Sequence, residues 1–327
     1  MQKDRINLYE NWMYNLSFFD YHNFIIDNID TLWKLTNYIL NDFKDFNKEN
    51  NYLNIEYPRI NLDETITLTQ EFFDNHSFDI NIKELIKDKV LTLNKNVDKE
   101  TNSYYNTKSD GNSTYDENQN RIVTVNLEET LYDSAVLIHE LLHYLNQPIS
   151  GRNETSDLLT EAISYAGELI FFEDLNNKEL TKKHNIYLEK TMYTYANNIY
   201  YIYKLINLYK TKQSLSEEKY NELYKDNNYE FTINRFEEYI SNKGSIYRDT
   251  WFMLGLPLSI YLLEEYKKDN DNFNYIHLLN NNINKKDINE CLNLINFNKE
   301  TLKESFNTFR QDLNNNYSST KQYKKTN

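Results

Sequence analysis

Apolar residues recur at helical spacing along most of the chain, and they alternate at strand spacing in one short stretch. Between Arg5 and about Phe46, Ile25, Ile29, Leu32, Trp33 and Thr36 mark a helical stripe, which predicts one or two helices. The polar run KDFNKENNYLN interrupts that stripe near residues 44–54, and Tyr57-Pro58 reads as extended chain because a residue before proline is driven out of the helical region. Asp63-Glu64 then leads into a second periodic stretch. Ile82, Leu85 and Ile86 share one face, so two more helices fit residues 61–93.

Residues 94–120 lack apolar periodicity and contain Asp110-Gly111, a turn signal, so a loop or hairpin is expected there. RIVTVNL follows, β-branched and alternating, and predicts a short strand at 121–127 that could offer an edge to extended substrate. Helices are expected at about 130–146, 156–175, 186–211, 216–225, 230–241, 249–267 and 299–314, with a shorter one near 286–294. The aromatics of TMYTYANNIYYIYKLINLYK occupy more than one helical face and read as packing surface.

The pattern divides the chain into an N-terminal helical segment (1–55), a main segment (56–314) and a polar tail (315–327) expected to be disordered. The fold class is mainly α, with a small strand or hairpin element near residues 104–127.

Composition sharpens this picture. Only 5 Gly and 3 Pro in 327 residues favour long helices over a sandwich or barrel. Hydrophobic residues are 39%, but 29 Tyr and 17 Phe supply core volume, and an AT-rich genome accounts for the Asn, Lys, Ile and Tyr abundance. A net charge of -14 without a Lys/Arg cluster argues against nucleic acid and anionic membrane surfaces as partners. A single cysteine, Cys291, rules out an intramolecular disulfide and a thiolate zinc site. No leader-like h-region and no apolar run of about 20 residues is present, so a cytoplasmic protein is the expectation, with non-classical secretion left open. Oligomeric state has no signal in the sequence.

The candidate chemistry lies in DSAVLIHELLHYLNQ. His139 and His143, four positions apart on a helix, stand one above the other and can offer two imidazoles to one ion, with Glu140 beside them. Two neutral His ligands, a third protein ligand and an open position for water make a hydrolytic zinc site, and the neighbouring Glu can serve as general base. From Ala135 to Leu145 the polar side chains are confined to His139, Glu140, His143 and Tyr144. Such groups are costly in so apolar a helix unless they have partners. LLTEAISYAGELIFF supplies acidic groups in an equally apolar setting: Glu161 as the third Zn2+ ligand and Glu168, on the same face, as outer support.

EETLYDSAVLIHELLHYLNQ followed by LTEAISYAGELIFFEDL resembles the active-site helices of the zinc oligopeptidases, the thimet oligopeptidase and oligoendopeptidase F group. The resemblance implies a helical, zincin-like catalytic domain of the gluzincin type, hydrolysing peptide or protein substrates with Glu140 as base. It spans roughly residues 61–314, with its specific motifs at 121–175. Leu142 stands where that group usually has Gly, and Asn146 where it has another His. Its late His and Tyr, which stabilise the tetrahedral intermediate, correspond to NKGSIYRDTWF, where Tyr247 and Arg248 are the available oxyanion donors. The chain is also much shorter than typical members. Two rival readings remain: a zinc endopeptidase aimed at one protein, as in bacterial neurotoxin light chains, and a non-catalytic protein that keeps the zincin fold.

Overall fold

Asn61 starts the first helix by a capping box: its side chain accepts from Glu64 N at 3.0 Å while the Glu64 carboxylate accepts from Asn61 N at 2.8 Å. Helix α1 (Leu62–Asn75) buries Thr65, Thr69, Phe72 and Phe73, one stripe at three- and four-residue spacing. Asn81 caps the short helix α2 (Ile82–Lys87). These elements come from a computed structural model that describes residues 56–95, 110–118, 120–146, 154–189, 191, 243–268, 273–283, 285 and 288–323.

Three strands follow: β1 (Leu91–Lys95), β2 (Asp110–Tyr115) and β3 (Arg121–Leu127), in the order β1-β3-β2. β1 runs parallel to β3, with Leu91 opposite Val123, and β2 runs antiparallel to it, with Gly111 opposite Val125. Val123, Val125 and Leu127 alternate inward and are buried, as a one-faced sheet requires. The remaining described elements are helical: α3 (Leu131–Asn146), α4 (Glu154–Asp174), α5 (residues 178–189), α6 (Lys243–Lys268), α7 (Asn274–Asn282), α8 (Ile288–Leu294) and α9 (Lys299–Tyr323). The described structure is mostly helical with one small sheet, as composition and periodicity imply. No helix among the described residues is long and apolar enough to cross a membrane.

Chain contacts group Met1–Leu53 with Glu189–Leu254, and Asn54–Leu188 with Gly255–Asn327. The helices expected within 5–46, at 216–225 and at 230–241, and nearly all of the Tyr-rich run, lie outside the described residues.

Several local expectations change. LTLNK at 91–95 is a strand, where the apolar pattern suggested helix up to residue 93; its two inward leucines are too few to establish a period. Asp110-Gly111 begins β2 and does not form the turn. The turn lies at 116–120, where Asp116 Oδ1 accepts from the backbone N of Asn118 (2.8 Å) and Asn120 (2.7 Å). β3 is the central strand, with both edges paired, so the edges of this sheet belong to β1 and β2 and not to β3. α7, with Ile276 and Leu279 buried, has too short a stripe for its sequence to announce, and α9 continues beyond residue 314 to Tyr323.

The passage from β3 into α3 is tied on both sides. Asp133, fully buried in the first turn of α3, accepts from Glu128 N at 3.0 Å and Thr130 N at 3.1 Å, while the N–H of Leu131 donates to Pro58 O at 2.8 Å. Arg59 adds a bond to Glu128 O at 2.6 Å, and Ile60 N donates to Glu129 O at 3.2 Å. Donors that the start of a helix leaves without intrahelical partners are satisfied here by a carboxylate and by the strap at residues 57–60. Removing the carboxylate leaves buried N–H groups unpaired. Asp133→Ala is expected to lower unfolding free energy by about 2–4 kcal/mol, measured by urea denaturation.

Candidate metal centre

Helix α3 is apolar on nearly every side, with Ala135, Leu137, Ile138, Leu141 and Leu142 wholly buried, and it brings His139, Glu140 and His143 into that interior. Helix α4 packs against it. Gly167 lets the two helices come close: a Cβ there would overlap Leu142 Cδ1 and lie 3.2 Å from Ile138 Cγ2. The bulk of Leu142, where the resembled group has Gly, is therefore accommodated by a glycine on the facing helix. Asn146, where that group has His, is buried and donates to Leu142 O at 2.7 Å.

The two imidazoles face one another, with His139 Nε2 and His143 Nε2 2.9 Å apart. Glu161 closes the triangle from α4, its Oε1 3.5 Å from His143 Nε2 and its Oε2 3.7 Å from His139 Nε2. Donors held tetrahedrally about 2.0–2.2 Å from one zinc ion sit roughly 3.3 Å from each other, and these separations bracket that value. His139, His143 and Glu161 thus form a group able to hold a metal ion. Gly255 on α6 makes room for Glu161, since a Cβ there would stand 2.9 Å from Glu161 Cβ and 3.1 Å from Ala162 N.

Glu168 lies beyond His139, accepting from its Nδ1 at 2.6 Å. That bond holds the proton on Nδ1 and leaves Nε2 directed at His143 and Glu161. Burial opposes charge on His139, but the hydrogen bond to Glu168 and the charges of Glu168, Glu161 and Glu140 outweigh it, raising its pKa to about 9. Burial pushes the Glu168 carboxyl up, against the pull of His139.

Glu140 is 8% exposed and lies under the edge strand: a Cβ added to Gly111 would come within 2.8 Å of its Oε1 and 2.9 Å of its Cδ. Only glycine allows β2 to pass so close, and this explains the glycine of a dipeptide whose sequence suggests a turn. Tyr247 and Arg248 sit on the backbone of α6, and their side chains lie outside the described residues.

Two residues that sequence reasoning passed over complete the surroundings. His184 of α5 is fully buried, stacked on Phe172 with ring centroids 4.3 Å apart, and its Nε2 is 3.6 Å from Glu168 Oε2. Tyr57 places its hydroxyl 3.2 Å from His184 Nδ1. The available signal was scarcity: the chain has only 6 His, and three of them gather here.

No protein-family model matches the chain, and no curated protein matches it significantly. One solved structure with a similar fold is the "putative peptidase from Chlamydophila abortus", at 14% sequence identity and a TM-score of 0.51. The match covers 94% of this chain and 55% of the other, so this chain spans about half the length of that neighbour. At this identity the likeness concerns the fold.

Two outcomes follow from the geometry. Gly111→Ala forces the Glu140 side chain or strand β2 aside, so it is expected to lower the unfolding free energy by about 1–3 kcal/mol, measured by urea denaturation. Burial lowers the His184 pKa to about 3, so below about pH 6.5 the unfolded chain takes up a proton that the folded chain refuses. His184 therefore withdraws stability as pH falls from about 6.5 towards 3, by about 2 kcal/mol at pH 5. Urea titrations at pH 7 and pH 5 should show a smaller difference for His184→Gln than for wild type.

Proposed function

We propose that this chain is a zinc-dependent metallopeptidase that hydrolyses peptides in the manner of an oligopeptidase. The observation that carries the reading is the convergence of His139, His143 and Glu161 with Glu140 beside them, beneath the edge strand β2. In this reading His139, His143 and Glu161 hold the ion, and Glu168 sets the orientation of His139. Zinc, when bound, supplies a positive charge that acidifies water and polarises a carbonyl.

Glu140 acts as the general base: it takes a proton from the attacking water and passes it to the departing amine. Its shielded position under β2 limits competition from bulk solvent. Among the described residues nothing pairs with the outer edge of β2, so an extended peptide added there runs past Glu140 with its backbone hydrogen bonds satisfied. Tyr247 and Arg248 are the proposed donors to the developing oxyanion. The name of the fold neighbour points to the same class of chemistry.

Purified wild-type protein is expected to contain about one zinc per chain by elemental analysis, and His143→Ala to lose most of it. Against a peptide library, Glu140→Gln should keep its zinc and lose at least about a thousandfold in kcat/KM. Zinc-free wild-type protein would sink the reading. Zinc-loaded protein that cleaves neither peptides nor proteins would instead mark a non-catalytic metal-binding protein.

A further inference from the structure

We infer that Tyr57 and His184 are positioning residues, an outer relay that fixes the carboxylate of Glu168 and, through it, the ring of His139. The role assigned to the relay rests on the metal reading above; its hydrogen-bond order does not.

Each link is visible in the geometry. Glu168 is buried with 4% side-chain exposure, and only one of its oxygens, Oε1, is engaged by His139. Its Oε2 has no hydrogen-bond partner among the described residues, and neither does His184 Nε2, at 0% exposure. These two atoms lie 3.6 Å apart. A buried carboxylate oxygen and a buried ring nitrogen without other partners satisfy one another if the nitrogen carries a proton and the gap closes by a few tenths of an ångström.

The other side of the ring fits that placing of the proton. The Tyr57 hydroxyl faces His184 Nδ1 at 3.2 Å; burial keeps the phenol protonated, and with the single ring proton required at Nε2 to meet the Glu168 oxygen, the hydroxyl is the donor to Nδ1. Nδ1 is then the acceptor and Nε2 the donor, directed at Glu168. Neighbouring rings restrain both residues: Tyr57 stacks on Tyr132 with centroids 5.0 Å apart, and His184 stacks on Phe172. Tyr57 also belongs to the strap whose next residue, Pro58, binds the start of α3 through its carbonyl, so one segment reaches both that helix and the support behind its first histidine.

The consequence is a defined order: Tyr57 donates to His184, His184 to Glu168 Oε2, and His139 to Glu168 Oε1. With both oxygens held, the carboxylate cannot rotate, and the Nε2 lone pair of His139 stays aimed at the ion position.

The test combines two readouts. Imidazole 15N shifts of the metal-free wild type should give His184 as the neutral Nε2–H tautomer; an Nδ1–H tautomer overturns the relay, whether or not the protein takes up zinc. Zinc dissociation constants, measured by chelator competition, should rise about 10- to 100-fold in His184→Leu and by a smaller factor in Tyr57→Phe. His184→Gln, whose amide N–H can still reach Glu168, should recover most of the affinity. Unchanged affinity in His184→Leu, or equal losses in the Leu and Gln variants, would overturn the proposal. If His184→Leu does not fold, Tyr57→Phe and the wild-type tautomer decide. Wild type without zinc affinity overturns the metal reading, and the tautomer still tests the relay.

Discussion

Three carboxylates enclosed with two imidazoles between apolar helices set the terms for this structure. Glu140, Glu161 and Glu168 are each less than a tenth exposed, and charges so placed are tolerated only where a cation or hydrogen-bond donors meet them. His139 meets Glu168 through Nδ1, and its Nε2 joins that of His143 before Glu161, leaving a compact set of donors for positive charge. The helices must approach closely for these groups to converge. Two glycines make that possible, Gly167 where α4 meets α3 and Gly255 where α6 meets Glu161.

The sheet serves the same cluster from the other side. β3 is held between its neighbours and delivers the chain into α3 through a turn tied by Asp133 and by the strap at residues 57–60. β2 lies at the edge, and its backbone passes against Glu140 because position 111 has no side chain. Glu140, strand β2 and the helix that carries His139 and His143 thus come together within the unit formed by Asn54–Leu188 and Gly255–Asn327.

What could be read from the sequence follows the range of the interaction involved. The helical character, the placing of α3 and α4, and the shared face of His139 and His143 rest on spacing of three or four residues, which the backbone enforces locally. Glu161 and Glu168 stood out because their flanks are too apolar for solvated carboxylates. The strand LTLNK did not stand out: it has two inward leucines, and its parallel partner β3 begins some 25 residues further on. The Asp110-Gly111 pair suggested a turn because glycine serves two needs, unusual dihedral angles and close approach, and the sequence does not say which applies.

By itself, then, the sequence determined a mainly helical chain, a helix bearing two imidazoles and a glutamate on an apolar body, and acidic residues on a later helix that had to find partners. Only the tertiary structure decided that β3 lies between the other two strands, that Gly111 gives Glu140 its room, and that Tyr57 and His184 stand behind Glu168. Periodicity reports what a residue's near neighbours impose. The partners of a buried polar atom come from segments far apart in the chain, 127 positions in the case of Tyr57 and His184, and are chosen by the packing that excludes water around them.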